Sequence, residues 1–166
     1  MFKIFTDGAC SSKDNVGGWG FVVLSENDHQ TETKSGAKAG TTNNEMELTA
    51  VLNALFWANN HKEEAVVIYS DSAYIVNCIH DKWYKRWQYN GWLTEKKTPV
   101  CNKELWKEII AFLGENVTIT KVKGHADSVG NNAADNLAVA ARLKKSDEMS
   151  HVLSEEEYKN SLCKKS

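Results

Sequence analysis

Apolar positions in this chain gather into short runs, and two of those runs end on acids. Phe2-Lys3-Ile4-Phe5-Thr6 leads into Asp7-Gly8, and Val66-Val67-Ile68-Tyr69-Ser70 leads into Asp71-Ser72. Each has the length and composition of a strand, closing on a hydroxyl, a carboxylate and a small residue. Residues 65–70 have no wet face, which predicts a central strand of parallel type. Between the two runs lie a polar turn at 11–15, Gly17-Gly18, and a strand at 19–24. A turn at Asn27-Asp28 and a weakly specified strand at 30–34 complete an antiparallel meander. A helix is predicted from Thr42 to about Asn60, with Thr42 and Glu45 at capping-box spacing. Further helices are expected at 72–80, 102–114 and 130–143, and a fifth strand at 117–122. A meander followed by alternating helices and strands predicts an α/β fold: a five-stranded mixed sheet flanked by helices. Residues beyond Lys144 turn polar and charged. We therefore divide the chain into a folded domain, 1–144, and a charged, mobile C-terminal tail, 145–166, with a short helix at 154–160.

A length of 166 residues suits one domain with a sizeable core. The formal net charge of −2 shows no bulk basic character, so any nucleic-acid contact must come from local patches. Cys10, Cys78, Cys101 and Cys163 are far apart and include no Cys-x-x-Cys pair. With Met1 leading straight into a strand, they read as free thiols in a reducing compartment, and the expected location is cytoplasmic. No apolar stretch approaches the ~20 residues of a membrane span. No oligomer seam is visible, so a monomer is expected.

Acids at strand ends repel one another unless a cation lies between them. Glu47 adds a third carboxylate. Its helical neighbours are Val51, Ala54 and Ala58, so it sits on a face that otherwise reads as buried. Asp135 repeats the pattern among Ala134, Leu137, Ala138 and Ala141. Any one of these acids alone would read as a cap, a surface charge or a buried ion pair. Four together point to a hard divalent ion, Mg²⁺ or Mn²⁺, because the scattered histidines and cysteines have no zinc spacing.

The strings FTDGAC, TTNNEMELTAVLNAL, YSDSAYIV and VKGHADSVGNNAADNLA occur in this order. They resemble the four active-site motifs of the type I ribonuclease H family, in its standalone bacterial form, and the resemblance spans roughly residues 1–143. It implies a ribonuclease H-like sheet of strand order 3-2-1-4-5, with Asp7, Glu47, Asp71 and Asp135 as the catalytic and metal-binding carboxylates. The activity it implies is metal-dependent hydrolysis of the RNA strand of RNA–DNA hybrids, leaving 5′-phosphate and 3′-hydroxyl ends. Two Mg²⁺ ions, replaceable by Mn²⁺, would clamp the attacking and leaving oxygens. Asp7 would bridge the ions, Asp71 and Asp135 would complete one, and Glu47 the other. His125, in the VKGHA string between Gly124 and Gly130, would pass a proton or help product leave. His29, His61, His80 and His151 are given no role.

Residues 82–97 carry Lys82, Lys85, Arg86, Lys96 and Lys97 against Glu95, interleaved with Trp83, Tyr84, Trp87, Tyr89 and Trp92. The basic groups suit phosphates. The rings either pack on sugars or form a tryptophan minicore, and both can hold together. By resemblance this segment is the family's basic protrusion, which grips the DNA strand. Asn43 and Asn44 offer amides to RNA 2′-hydroxyls, with helix capping as their structural alternative. Thr42 resembles a DNA-phosphate contact at a helix N-terminus. Lys13 stands where relatives often carry an asparagine that touches DNA phosphate, and Ala73 where they often carry a glutamine that touches RNA. Two other readings remain open at this point: the ribonuclease H portion of a reverse transcriptase, and a non-catalytic hybrid-binding module. Such a module would be expected to lose at least one carboxylate, and all four are present.

Overall fold

The computed structural model describes residues 1–123 and 127–164, the side chains of Ser128 and of residues 151–164 excepted. Five strands form one sheet: β1 (Phe2–Ser11), β2 (Val16–Leu24), β3 (Gln30–Ala39), β4 (Val66–Ser70) and β5 (Val117–Lys121). Their order is β3-β2-β1-β4-β5, as the resemblance implies. Strands β1 to β3 pair antiparallel, while β1–β4 and β4–β5 pair parallel. The helices are α1 (Asn43–Asn59), α2 (Ala73–His80), α3 (Trp83–Asn90), α4 (Lys103–Ala111) and α5 (Ser128–Lys164).

Strand alternation sends neighbouring residues to opposite faces, and here both faces are covered. Ile4, Phe21, Val23 and Ile68 pack with Leu48, Val51 and Leu55 of α1 and with Trp106 and Ile109 of α4. Phe5, Val22 and Leu24 pack on the other side with Ala134 of α5. The α5 contact is close because β2 is built of small residues there. A Cβ on Gly18 would lie 2.1 Å from the Ala138 carbonyl oxygen.

Several elements differ from expectation. β2 starts at Val16 and not at 19, because Val16, Gly17 and Gly18 pair with Ser11, Cys10 and Ala9 of β1. β1 does not stop at Asp7; it continues to Ser11 against β2, and only its pairing with β4 ends, at Phe5–Tyr69. β3 extends to Ala39, although its residues are polar and mostly exposed, because pairing with β2 holds it as an edge strand. Only half of the capping box forms: Thr42 Oγ1 accepts from the Glu45 N–H at 3.1 Å, while the Glu45 carboxylate bonds Thr41 and Lys38 instead. Finally, α5 runs without a break through Lys144 to Lys164, where a polar tail with a separate short helix was expected. Just past Lys144, Ser146 Oγ donates to Asp14 Oδ2 at 3.0 Å.

Candidate active site

The acids converge where β1 loses its β4 neighbour. Beyond the Phe5–Tyr69 pair, β4 ends at Ser70 and Asp71 follows it, two residues past Tyr69, while Asp7 lies two residues beyond Phe5 on β1. Parallel register therefore places the two carboxylates side by side. Thr6 Oγ1 donates to the Tyr69 carbonyl at 2.9 Å and ties the strands together just before the site. The chain then turns at once into α2, whose first turn is capped by Ser72 Oγ accepting from the Ile75 N–H at 3.3 Å. The Ser72 N–H in turn donates to Ser70 Oγ at 3.1 Å, fixing the backbone on either side of Asp71.

Glu47 reaches the site because β1 and α1 touch at a glycine. A Cβ on Gly8 would fall 2.5 Å from the Glu47 backbone nitrogen. That approach lets the Gly8 N–H serve two carboxylates, Asp7 Oδ1 at 2.9 Å and Glu47 Oε1 at 3.2 Å. Val51, Ala54 and Ala58 are fully buried beneath Glu47, as its helical spacing predicts. Asp135 differs from expectation. Ala134 and Ala138 beside it are buried, but Asp135 itself is exposed on α5 and is not among the three acids whose oxygens converge, although it adds to the rise of the Asp7 pKa.

Carboxylate oxygens of Asp7, Glu47 and Asp71 lie within 4.8 Å of one another. Burial pushes the Asp7 carboxyl up to about 7, and the contact with Asp135 and the charge of Asp71 add to the rise. Burial also drives Glu47 well above its ordinary value, reinforced by Asp7. Glu47 Oε2 is buried with no hydrogen-bond partner among the described residues. A buried carboxylate oxygen without a donor, at the meeting point of three acids, fits a hard divalent cation supplied from solution. His125 lies outside the described residues.

At the N-terminus of α1, Thr42 is exposed and serves as N-cap. Asn43 Oδ1 accepts from the Cys10 N–H at 2.6 Å, so only its amide N–H₂ faces outward as a donor. Asn44 is half-buried. Lys13 projects from a turn closed by Asn15 N–H to Ser11 O at 2.8 Å and is exposed.

The basic segment folds as α3 and the loop after it, a helix that the sequence reading did not delimit. Trp87 is 8% exposed and packs edge-on to Trp106, with ring centroids 5.6 Å apart. It belongs to the core, so for this ring the minicore reading replaces substrate contact. Trp83 is 39% exposed and helps wall an open cavity of about 670 Å³ with Tyr74, Arg86 and Lys96. Arg86 is exposed but paired with Glu95 at 3.1 Å. Lys85, Lys96 and Lys97 are exposed and form no ion pair among the described residues.

Taken together, fold and site define an α/β protein with a cluster of acids, suited to a cation, where the interior strands β1 and β4 part. The chain belongs to the ribonuclease H family, whose sequence model, described as RNase H, matches residues 1–142. A ribonuclease H of Moorella thermoacetica is 49% identical over 140 residues, covering 83% of this chain and 89% of that protein. Its counterpart in Syntrophomonas wolfei is 47% identical over 136 residues, covering 81% and 91%. Among solved structures, the solution structure of the PFV RNase H domain superposes with a TM-score of 0.72 at 27% identity, covering 86% of this chain and 94% of that one.

Proposed function

We propose that this chain is an endoribonuclease that hydrolyses the RNA strand of RNA–DNA hybrids to 5′-phosphate and 3′-hydroxyl products. The observation that carries the reading is the Asp7–Glu47–Asp71 cluster with its unpartnered Glu47 oxygen. Asp7, Glu47, Asp71 and Asp135 would hold two Mg²⁺ ions, with Mn²⁺ able to substitute. When bound, the ions would supply charge neutralisation at the phosphate and lower the pKa of the attacking water so that it can lose its proton.

The protein's own groups do the rest. The shared Gly8 N–H holds the Asp7 and Glu47 carboxyls in a fixed orientation for the ions they would bind. Asp71 and Asp135 are exposed, so they face the incoming strand and complete the site as it arrives. His125 would pass a proton or help product leave. The α1 N-terminus at Thr42 takes a phosphate of the DNA strand, and Asn43 donates its outward N–H₂ to an RNA 2′-oxygen. Asn44 and Lys13 contribute to the same edge. Trp83, Lys85, Arg86, Lys96 and Lys97 meet the DNA strand further along. Trp87 supports them from beneath. The match to residues 1–142 supports a catalytic unit of 1–144, with 145–166 appended to it. Cys10, Cys78 and Cys101 are free thiols, which supports the reading of a reducing, cytoplasmic location; a monomer is proposed with it.

The test is a gel assay on end-labelled RNA–DNA hybrid, double-stranded RNA, double-stranded DNA and single-stranded RNA, with Mg²⁺ or with EDTA. Metal-dependent cutting of the hybrid's RNA strand alone is the expected result. Tight hybrid binding with no cutting in Mg²⁺ or Mn²⁺ would instead establish a binding module.

A further inference from the structure

The half-formed capping box has a consequence for substrate binding. In a completed box the residue at the third helical position turns its carboxylate back onto the N-cap N–H. Glu45 occupies that position, yet both of its oxygens are engaged elsewhere. Oε2 accepts from Thr41 Oγ1 at 2.6 Å, and Oε1 takes the ammonium of Lys38, which reaches across from β3. The clasp is partly sheltered: Thr41 is 4% exposed and the Glu45 side chain 19%. The backbone N–H groups of Thr42, Asn43 and Asn44 are left without partners among the described residues.

We propose that Lys38 is a positioning residue for hybrid binding: by holding Glu45 away from the Thr42 N–H, it keeps the α1 N-terminus open to a DNA-strand phosphate. This rests on the reading of that terminus given above. Without Lys38, Glu45 is free to swing back, complete the box and occupy a donor the phosphate needs. It also brings a negative charge against the incoming one. A clasp that merely staples β3 to α1 would behave differently, because removing its second half could not then restore what removing the first half lost.

The test compares KM and kcat on an RNA–DNA hybrid for five proteins, each first checked by thermal melting to be folded. Lys38→Met is expected to raise KM about tenfold, the loss of one charge-assisted hydrogen bond, with kcat within about twofold. Lys38→Arg should match the wild type. Lys38→Met/Glu45→Ala should regain the wild-type KM, since alanine cannot close the box. Lys38→Met/Glu45→Gln carries the same net charge but can cap, and should keep the raised KM. An unchanged KM in Lys38→Met overturns the proposal, and so do equal values in the two double variants, which would mean simple charge attraction. A DNA strand with one uncharged methylphosphonate, walked along the hybrid, separates this from the reading beneath it. Wild type should show a sensitive linkage whose effect vanishes in Lys38→Met. If that linkage is equally sensitive in both proteins, the clasp idea fails alone. If wild type has no sensitive linkage, the phosphate site at Thr42 fails, and the proposal with it.

Discussion

Asp7→Asn should make the metal-free protein more stable, and the gain should depend on pH. Burial, Asp135 and Asp71 raise the Asp7 carboxyl from 3.8 to about 7. A carboxyl whose folded pKa exceeds its unfolded value favours folding fully below the unfolded value and loses that contribution as pH rises through the folded one. At pH 8, with EDTA present, the wild type therefore bears a penalty that a neutral amide lacks. About three pKa units correspond to about 4 kcal/mol at most. Glu47 keeps part of the strain in the variant, so about 2–4 kcal/mol is the expected recovery, or roughly 5–12 °C in Tm for a chain of this size. The asparagine oxygen can still accept from the Gly8 N–H, and its N–H₂ can donate to Glu47, so the geometry survives. Thermal melts of both proteins at pH 4 and pH 8 decide the matter. The difference should be largest at pH 8 and nearly gone at pH 4. Equal differences at the two pH values, or none at pH 8, would refute the electrostatic account of the site.

Four other outcomes follow from the same geometry. Millimolar Mg²⁺ should raise the Tm of the wild type at pH 8 and leave that of Asp7→Asn nearly unmoved, as read by differential scanning fluorimetry. Gly8→Ala forces a Cβ to within 2.5 Å of the Glu47 nitrogen. It should cost about 1–3 kcal/mol in denaturant unfolding and depress cleavage beyond that loss, because β1 and α1 must part. In the basic segment, Trp87→Ala should cost about 3–5 kcal/mol of stability. Lys96→Ala/Lys97→Ala should leave Tm unchanged, raise KM and flatten its salt dependence by a slope of about 1 to 2.

Much of this site was legible because its chemistry and its fold signals coincide. The acids at the ends of 2–6 and 66–70 announced the meeting of two strands, and Glu47 on a buried helix face announced a third partner. Parallel register then brought Asp7 and Asp71 together with no further signal needed. What stayed hidden depends on neighbours. The polar residues of β3 carry no alternation strong enough to set its length; β2 supplies that by pairing. Asp7 looked like a strand end because apolarity stops there, whereas β1 continues against β2. Trp87 could not be separated from Trp83 by composition, since it is packing against Trp106 of α4 and Trp92 that buries Trp87. The Gly8 contact was visible only as a small residue after an acid. Lys38 lies in a segment beyond the expected strand, so its hold on Glu45 could not be anticipated.

The central claim is that the clustered carboxylates are the cutting machinery for RNA in a hybrid. Its most direct measurement is the single-turnover rate of RNA cleavage in a hybrid by Asp71→Asn in Mg²⁺, set beside wild type. Asp71 is exposed and needed by no part of the core, so the variant should fold and bind hybrid normally. A fall of about a thousandfold or more, with hybrid affinity retained, is the predicted result. A rate within about tenfold of wild type would contradict the account and move the chemistry away from this cluster.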